Sequence, residues 1–75
     1  MKARAMKRLL RSSLGYVPVP HSGSGSHEYL ENPDGKRIRW AHHDKRELSP
    51  IEVRNILVKQ AGLTLDQARE VFRNG

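Results

Sequence analysis

Histidines are the side chains of this sequence best suited to proton transfer, because an imidazole titrates close to physiological pH and can accept or release a proton. The chain has four of them: His21, His27, His42 and His43. His27 closes the triplet Gly25-Ser26-His27, near the start of a predicted strand. On residue types alone, an exposed histidine in a turn is the ordinary interpretation of His27, and an acid–base group is the alternative.

A metal site at His42-His43-Asp44 is the next chemistry to consider. Neighbouring side chains on a strand point to opposite faces, so the two histidines are poorly placed to ligate one ion together. The chain has no cysteine, and no glutamate-rich set accompanies the pair. We therefore expect neither a metal nor another cofactor, while His21, His42 or His43 could each serve as a second acid–base group.

Positive charge is concentrated before Glu28. The formal net charge of the chain is +6. No acidic residue precedes Glu28, whereas five basic residues do: Lys2, Arg4, Lys7, Arg8 and Arg11. A one-sided basic helix suits a phosphate backbone or the acidic surface of a partner. A solvated face that keeps a small protein soluble is the alternative interpretation.

The elements that must position these groups begin with a helix over residues 2–14, which ends at a left-handed cap on Gly15. Its apolar side chains have the spacing of one helical face: Met6, Leu9, Leu10 and Leu14. Residues 16–21 then alternate as a strand, but Pro18 and Pro20 cannot donate to a ladder. Because both prolines have the same parity, their side of the backbone can face solvent, which predicts an edge strand.

A hairpin is predicted next, from a strand at 27–31, a turn at Asn32-Pro33-Asp34-Gly35 and a strand at 36–42. Alternation divides the side chains of the hairpin between two faces. The apolar face is expected to carry Leu30, Ile38 and Trp40. The opposite face is expected to carry His27, Tyr29, Arg37 and Arg39.

Two capping patterns predict the remaining helices. Ser49-Pro50-Ile51-Glu52 is a capping box with proline at the first helical position, and Gly62 ends the helix that it opens. Its buried stripe is predicted to be Val53, Ile56, Leu57 and Ala61. Thr64 and Gln67 repeat the pattern before a short third helix. The side chains of that helix expected to pack inward are Leu65, Ala68, Val71 and Phe72.

The resulting order is α-β-β-β-α with a further short C-terminal helix. It predicts one α+β domain over residues 1–75, in which a three-stranded antiparallel sheet carries its helices on one face. The double-stranded-RNA-binding domain is one fold with this arrangement. No apolar run reaches the roughly 20 residues needed to span a bilayer, and the basic opening lacks a signal-peptide core. We therefore expect a cytoplasmic protein with no membrane association.

Several motifs, in order along the chain, resemble the HicA-type toxin family. The specific one is Gly25-Ser26-His27 at the start of the second strand. The accompanying matches are Leu9-Leu10 in the basic opening, Ala41-His42-His43 at the end of the third strand, Glu47-Leu48, Ile56-Leu57, and Lys59-Gln60-Ala61-Gly62-Leu63. The resemblance covers nearly the whole chain.

The resemblance implies a toxin that cleaves messenger RNA, is held inactive by a cognate HicB-type antitoxin, and uses the strand-2 histidine, here His27. A histidine-dependent reaction that needs no metal is attack of a ribose 2′-hydroxyl on the adjacent phosphate. Positive charge for the phosphate oxygens would come from Arg37 and Arg39, with Tyr29 as a donor or base-stacking platform. The expected backbone track is Lys2, Arg4, Lys7, Arg8 and Arg11.

Two other functions are compatible with the same residues. A non-catalytic RNA-binding module would need the basic helix and the sheet but not His27. A protein-interaction element would use the basic face only to dock an acidic partner. Binding of RNA that weakens steeply with salt distinguishes the first of these from the second.

Overall fold

A computed structural model of the chain describes residues 1–20 and 28–74. The strands form an antiparallel sheet in the order β1-β2-β3. The elements are α1 (Ala3–Leu14), β1 (Val17–Pro18), β2 (Glu28–Glu31), β3 (Arg37–Trp40), α2 (Pro50–Asn55), a π-helical continuation of α2 (Ile56–Gln60), and α3 (Leu65–Asn74). This order confirms the predicted α+β class, with a helix at the C-terminus.

The register of the hairpin gives the sheet two chemically different faces. Leu30 pairs with Ile38, and both are buried beside Trp40. Tyr29 pairs with Arg39 on the opposite face. The predicted alternation is therefore confirmed for the described residues, while His27 lies outside them and its place on this face stays a prediction.

Strand β1 is an edge strand, as the two prolines predict. The Val19 amide donates to the Tyr29 carbonyl at 2.8 Å, so the odd-numbered amides face β2 and the position of Pro18 faces away. The strand itself is shorter than predicted and covers only Val17–Pro18. Strand β3 is also shorter than predicted, since it covers Arg37–Trp40 instead of 36–42.

The core lies between the sheet and the helices, and every buried residue in the described part of the chain is hydrophobic. Its members are Ala3, Met6, Leu9, Leu10, Tyr16, Leu30, Ile38, Trp40, Leu48, Val53, Ile56, Leu57 and Ala68. Trp40 is 2% exposed, which confirms it as a core residue instead of a base-stacking surface. Tyr16 and Leu48 were not predicted in the core. Leu48 belongs to no periodic run, and within the alternating segment 16–21 Tyr16 shares the parity of the prolines and not that of the valines.

The capping box of α2 is present as predicted. The Glu52 amide donates to the Ser49 hydroxyl at 3.2 Å, and the Ser49 amide donates to the Glu52 carboxylate at 3.1 Å. The helix widens after Asn55, where the Ala61 amide bonds the Ile56 carbonyl five residues back. It ends at Gly62, which has φ +77°. Ala61 is only partly buried, so the predicted stripe is confirmed in its other three members.

The prediction that all four apolar residues of α3 pack inward is wrong. Ala68 is 7% exposed and Val71 is partly buried, but Leu65 and Phe72 are 45% and 50% exposed. The capping pair itself is confirmed, since Thr64 and Gln67 exchange hydrogen bonds of 2.9 and 3.1 Å. Among the residues of α3 whose burial the structure describes, Ala68 alone is buried, and the larger Leu65 and Phe72 beside it remain outside the core.

A chain of polar contacts joins the end of β3 to the start of α2. Arg46 donates from Nη1 to His42 Nδ1 at 2.8 Å, and its Nη2 lies 2.7 Å from Glu52 Oε2. The His42 ring also meets Trp40 edge-on, with ring centroids 5.0 Å apart. Burial and, to a smaller extent, the Arg46 charge lower the pKa of His42, while the Glu52 carboxylate has a smaller effect that raises it.

Within the described residues, no helix is long and apolar enough to cross a membrane.

Replacing Gly15 with alanine should destabilise the fold more than the same change at Gly35. Both glycines have positive φ, +74° and +85°, which costs an L-residue roughly 1–2 kcal/mol. A Cβ on Gly15 would also stand 2.9 Å from Pro33 Cδ, whereas a Cβ on Gly35 would meet nothing within 4 Å. Urea unfolding of the two variants measures the difference, and equal losses would contradict the close packing of the α1 cap on the hairpin turn.

The partial burial of His42 and its contact with Arg46 should make the free energy of unfolding fall below neutral pH. Since the pKa of His42 is lowered in the folded state, the unfolded chain binds the proton more readily, and stability is lost as pH falls through the ordinary value of about 6.5. Glu52, whose pKa is lowered first by the Ser49 amide and then by Arg46, loses its contribution only at more acidic pH.

The measurement is the free energy of unfolding in urea between about pH 7 and pH 5.5. His42→Asn keeps an acceptor for Arg46 but does not titrate, so its loss of stability over this interval should be smaller than that of the parent. His43→Asn changes an exposed histidine and is the matched control. If His43→Asn, and not His42→Asn, flattened the plot of unfolding free energy against pH, the attribution of the pH dependence to His42 would be wrong.

Candidate nucleic-acid interface

Helix α1 carries four of the predicted RNA-binding cations on one side, which we call the cationic stripe: Arg4, Lys7, Arg8 and Arg11. Spacings of three and four residues place side chains on the same helical face. The opposite face carries Met6, Leu9 and Leu10, which are buried against the sheet. Packing of the apolar face therefore fixes the direction in which the stripe points.

A cleft of about 310 Å³ lies between the cationic stripe and the edge of the sheet. All four residues of the stripe line it, together with Tyr16, Pro18, Leu30 and Asp44. The Asp44 carbonyl also accepts the Arg4 amide at 3.2 Å, which holds the loop after β3 against the start of α1. The cleft thus combines a cationic wall with an apolar floor.

Lys7 connects the cationic stripe to the start of β2. Its ammonium forms an ion pair with the Glu28 carboxylate, and both side chains are about one-third exposed. Glu28 is the residue that follows His27 in the sequence. The stripe therefore borders the end of β2 to which the Gly25-Ser26-His27 triplet is attached.

The remaining cations of the stripe keep their charge available to a ligand. Arg4, Arg8 and Arg11 are exposed, and none makes an ion pair with a carboxylate in residues 1–20 or 28–74. Glu28 neutralises part of the charge of Lys7, and Asp44 stands at the cleft. Guanidinium groups suit phosphate because they present several donors in one plane.

Tyr16 lines the cleft, and the sequence did not predict its burial. The residue is 2% exposed, and its hydroxyl has no hydrogen-bond partner among the residues that the structure describes. Burial, with a smaller contribution from Asp34, raises the pKa of the Tyr16 phenol. The phenol therefore stays protonated at neutral pH and retains a hydrogen to donate.

The other predicted RNA-binding residues lie on the opposite face of the sheet. Tyr29 and Arg39 are cross-strand partners there. Arg37 is next to them and donates from Nε to Glu31 at 3.0 Å, so part of its charge is neutralised. The predicted interface is thus divided between two surfaces, the cationic stripe and this open sheet face, with the sheet between them.

Lys2, the fifth predicted RNA-binding cation of the basic opening, precedes α1 and is not part of the stripe. It forms a β-bridge with Glu47, its ammonium lies 3.8 Å from the Glu47 carboxylate, and it donates to the Lys45 carbonyl at 3.3 Å. These contacts hold the chain before α1 against the loop before α2. Lys2 therefore links these two segments and is also an exposed cation.

Of the two histidines that the structure describes, His42 is the one whose side chain contacts other groups. Because a guanidinium only donates, the contact with Arg46 requires that His42 Nδ1 be unprotonated and Nε2 carry the hydrogen. His42 therefore offers no free basic nitrogen in this arrangement. His43 is exposed, and His21 and His27 lie outside the described residues. No cluster of three or more metal-ligating side chains occurs in the described ranges.

Sequence reasoning missed two features of this site, the ion pair between Lys7 and Glu28 and the burial of Tyr16. The ion pair joins segments that are far apart in the chain, which no periodic pattern connects. An available signal was Glu28 itself, which is the first acidic residue after the basic opening and whose parity places it on the helix-facing side of β2.

Comparison with known proteins identifies the chain by family. The family model for the HicA toxin of bacterial toxin–antitoxin systems matches residues 3–63, which run from the start of α1 to the residue after Gly62. Curated proteins and solved structures yield no significant match. Since the matched region covers most of the 75 residues, the chain belongs to the HicA toxin family of bacterial toxin–antitoxin systems.

Proposed function

We propose that this toxin is a messenger-RNA endoribonuclease whose catalytic residue is His27. The observation that carries the proposal is the ion pair between Lys7 and Glu28, which brings the cationic stripe of α1 to the residue that follows His27. A phosphodiester lying along the stripe would then lie near Glu28, to which the Gly25-Ser26-His27 triplet is joined in the sequence. Family membership supports the toxin function, and the triplet supports the chemistry.

The proposed reaction is a phosphodiester transfer within the RNA. The ribose 2′-oxygen attacks the adjacent phosphorus and forms the O2′–P bond, while the P–O5′ bond breaks. The 2′-hydroxyl proton goes to a base and the 5′-oxygen takes up a proton, so the products are a 2′,3′-cyclic phosphate and a 5′-hydroxyl. His27 fits either proton transfer, because an imidazole can act as base or acid near neutral pH.

The charge that develops on the phosphate oxygens requires cations nearby. Arg8 and Arg11 of the stripe are exposed and make no ion pair within the described chain, whereas Arg37 is already paired with Glu31. We therefore assign the larger part of RNA binding to the stripe, with Tyr29 and Arg39 contacting RNA that extends over the open sheet face.

The partner that restrains the toxin is proposed to be a HicB-type antitoxin acting in the cytoplasm. A protein that neutralises this toxin should cover the cationic stripe and the region of His27. Acidic side chains would complement Arg4, Arg8 and Arg11 and would compete directly with RNA phosphates. The toxin would then bind either RNA or antitoxin at the stripe.

Replacing His27 with alanine should lower the rate of RNA cleavage about 10²- to 10⁴-fold, the usual contribution of an acid–base group. The assay uses purified protein and RNA in the presence of a chelator, with product ends analysed for the cyclic phosphate. Lys59→Ala, which removes an exposed side chain away from the proposed site, is the control, and His43→Ala tests whether this histidine is the second acid–base group. Parent-like cleavage by His27→Ala would contradict the assignment, and RNA binding without cleavage by the parent would favour the non-catalytic module.

Removing two charges from the stripe should weaken RNA binding and its dependence on salt. Each phosphate contact on single-stranded nucleic acid contributes a slope of about −0.7 to the plot of log affinity against log salt. The double variant Arg8→Gln/Arg11→Gln should therefore reduce the slope by about 1.4. Binding is followed by fluorescence anisotropy of a labelled RNA.

Two control variants separate this effect from a general loss of charge. Lys59→Gln removes an exposed cation of the π-helical segment, away from the stripe, and should leave the slope nearly unchanged. Arg37→Gln should have a smaller effect than either stripe residue, because Glu31 already neutralises part of its charge. If Lys59→Gln reduced the slope as much as a stripe substitution, the stripe would not be the RNA-binding surface.

A further inference from the structure

A second surface of the molecule is unconnected with the proposed nuclease site. It is an open groove of about 530 Å³ between α2 and α3. Its floor is made of core residues that are less than 10% exposed: Leu48, Val53, Leu57 and Ala68. Helix α3 lies outside the region that matches the HicA family, so this groove depends on an element that the family match does not include.

The walls of the groove are apolar side chains that the fold leaves half uncovered. Leu65 and Phe72 are 45% and 50% exposed, and both line it. They stand seven residues apart in α3, with Ala68 between them, and therefore share one helical face. An apolar face of this kind beside a buried apolar floor is typical of a binding surface, whereas single exposed apolar residues are ordinary.

The rim of the groove is cationic. Arg54, Arg69 and Arg73 line it, and the described lining residues include no carboxylate. Asp66 and Glu70 do pair with Arg69 and Arg73, at 4.0 and 3.5 Å, but these pairs lie within α3 and are largely exposed. Exposed pairs of this type are weak, so the arginines can exchange them for carboxylates of a ligand.

We propose that this groove binds an acidic amphipathic helix of a partner protein. Two helices form its walls, and a third helix can place apolar residues at spacings of three, four and seven on the floor. Glutamate or aspartate at the flanks of that helix would face the three arginines. A second copy of this chain would bring the same arginine rim and a net charge of +6, and nucleic acid would not match the apolar floor.

The test uses the full chain and a fluorescein-labelled acidic peptide as the probe. The peptide is roughly 15 residues long, the length at which isolated helices become marginally stable, with leucines on one face and glutamates at both flanks. A peptide with lysines in place of the glutamates is its charge control. Anisotropy should show saturable binding of the acidic peptide, and amide chemical-shift changes should map to Leu48, Val53 and Ala68.

Matched variants distinguish the groove from other apolar or charged surfaces. Phe72→Ser and Arg73→Glu should each weaken peptide binding at least about tenfold, whereas Ile51→Ser and Lys59→Glu should leave it unchanged. Ile51 is 70% exposed but does not line the groove, and Lys59 is an exposed cation away from it. All four residues are solvent-exposed, and circular dichroism during heating verifies that each variant folds.

Several results would overturn the proposal. These are absence of saturable binding, equal binding of the lysine peptide, and equal losses in the groove and control variants. Sedimentation that shows a dimer in the parent and a monomer in Phe72→Ser would assign the groove to a second copy. Binding of anionic lipid vesicles that is lost in Phe72→Ser, without peptide binding, would assign it to a membrane surface. RNA cleavage by the same variants reports the proposed nuclease function separately.

Discussion

Packing of α1 on the sheet is the interaction on which the rest of the structure depends. Met6 and Leu10 are fully buried against a sheet face that includes Leu30 and Ile38. Because a helix has a fixed periodicity, burying one face determines where every other side chain of α1 points. The cations at positions 4, 7, 8 and 11 are consequently brought to the side of the sheet edge, where Lys7 meets Glu28. Hydrophobic burial thus places the charges, and the charges make the surface suitable for phosphate.

The acidic residues of the sheet influence which cations remain available to a ligand. Glu31 pairs with Arg37 on the open sheet face, and Glu28 pairs with Lys7 at the edge of the stripe. A cation already paired within the protein must lose that pair before it can bind a phosphate, whereas Arg8 and Arg11 have no such partner in the described chain. The same reasoning applies to His42, whose Nδ1 accepts from Arg46. Net charge alone therefore overstates the cationic surface that is available to a ligand.

The C-terminal helix extends the molecule beyond the region shared with the family. The match ends at residue 63, and α3 begins at Leu65 with its own capping pair of Thr64 and Gln67. Ala68 covers part of the core, but the flanking Leu65 and Phe72 do not close over it. The result is a half-buried apolar surface with arginines around it, on a different side of the chain from the stripe. The toxin thus has two surfaces with different chemistry.

Local rules acting within a few residues were sufficient to predict much of this structure. They include the capping box at Ser49, the left-handed glycines at positions 15 and 62, the edge strand with Pro18, and the alternation of Ile38 and Trp40 with the arginines. The Gly25-Ser26-His27 triplet also pointed to the family without any coordinates. Contacts between distant segments could not be predicted in this way, because periodicity describes one element at a time. Only the tertiary structure decided that Lys7 meets Glu28, that Tyr16 is buried, that Arg37 and Arg8 lie on different surfaces, and that Phe72 remains half exposed. Each of these depends on how separate elements share a limited core, which a chain of 75 residues can fill without covering every apolar side chain.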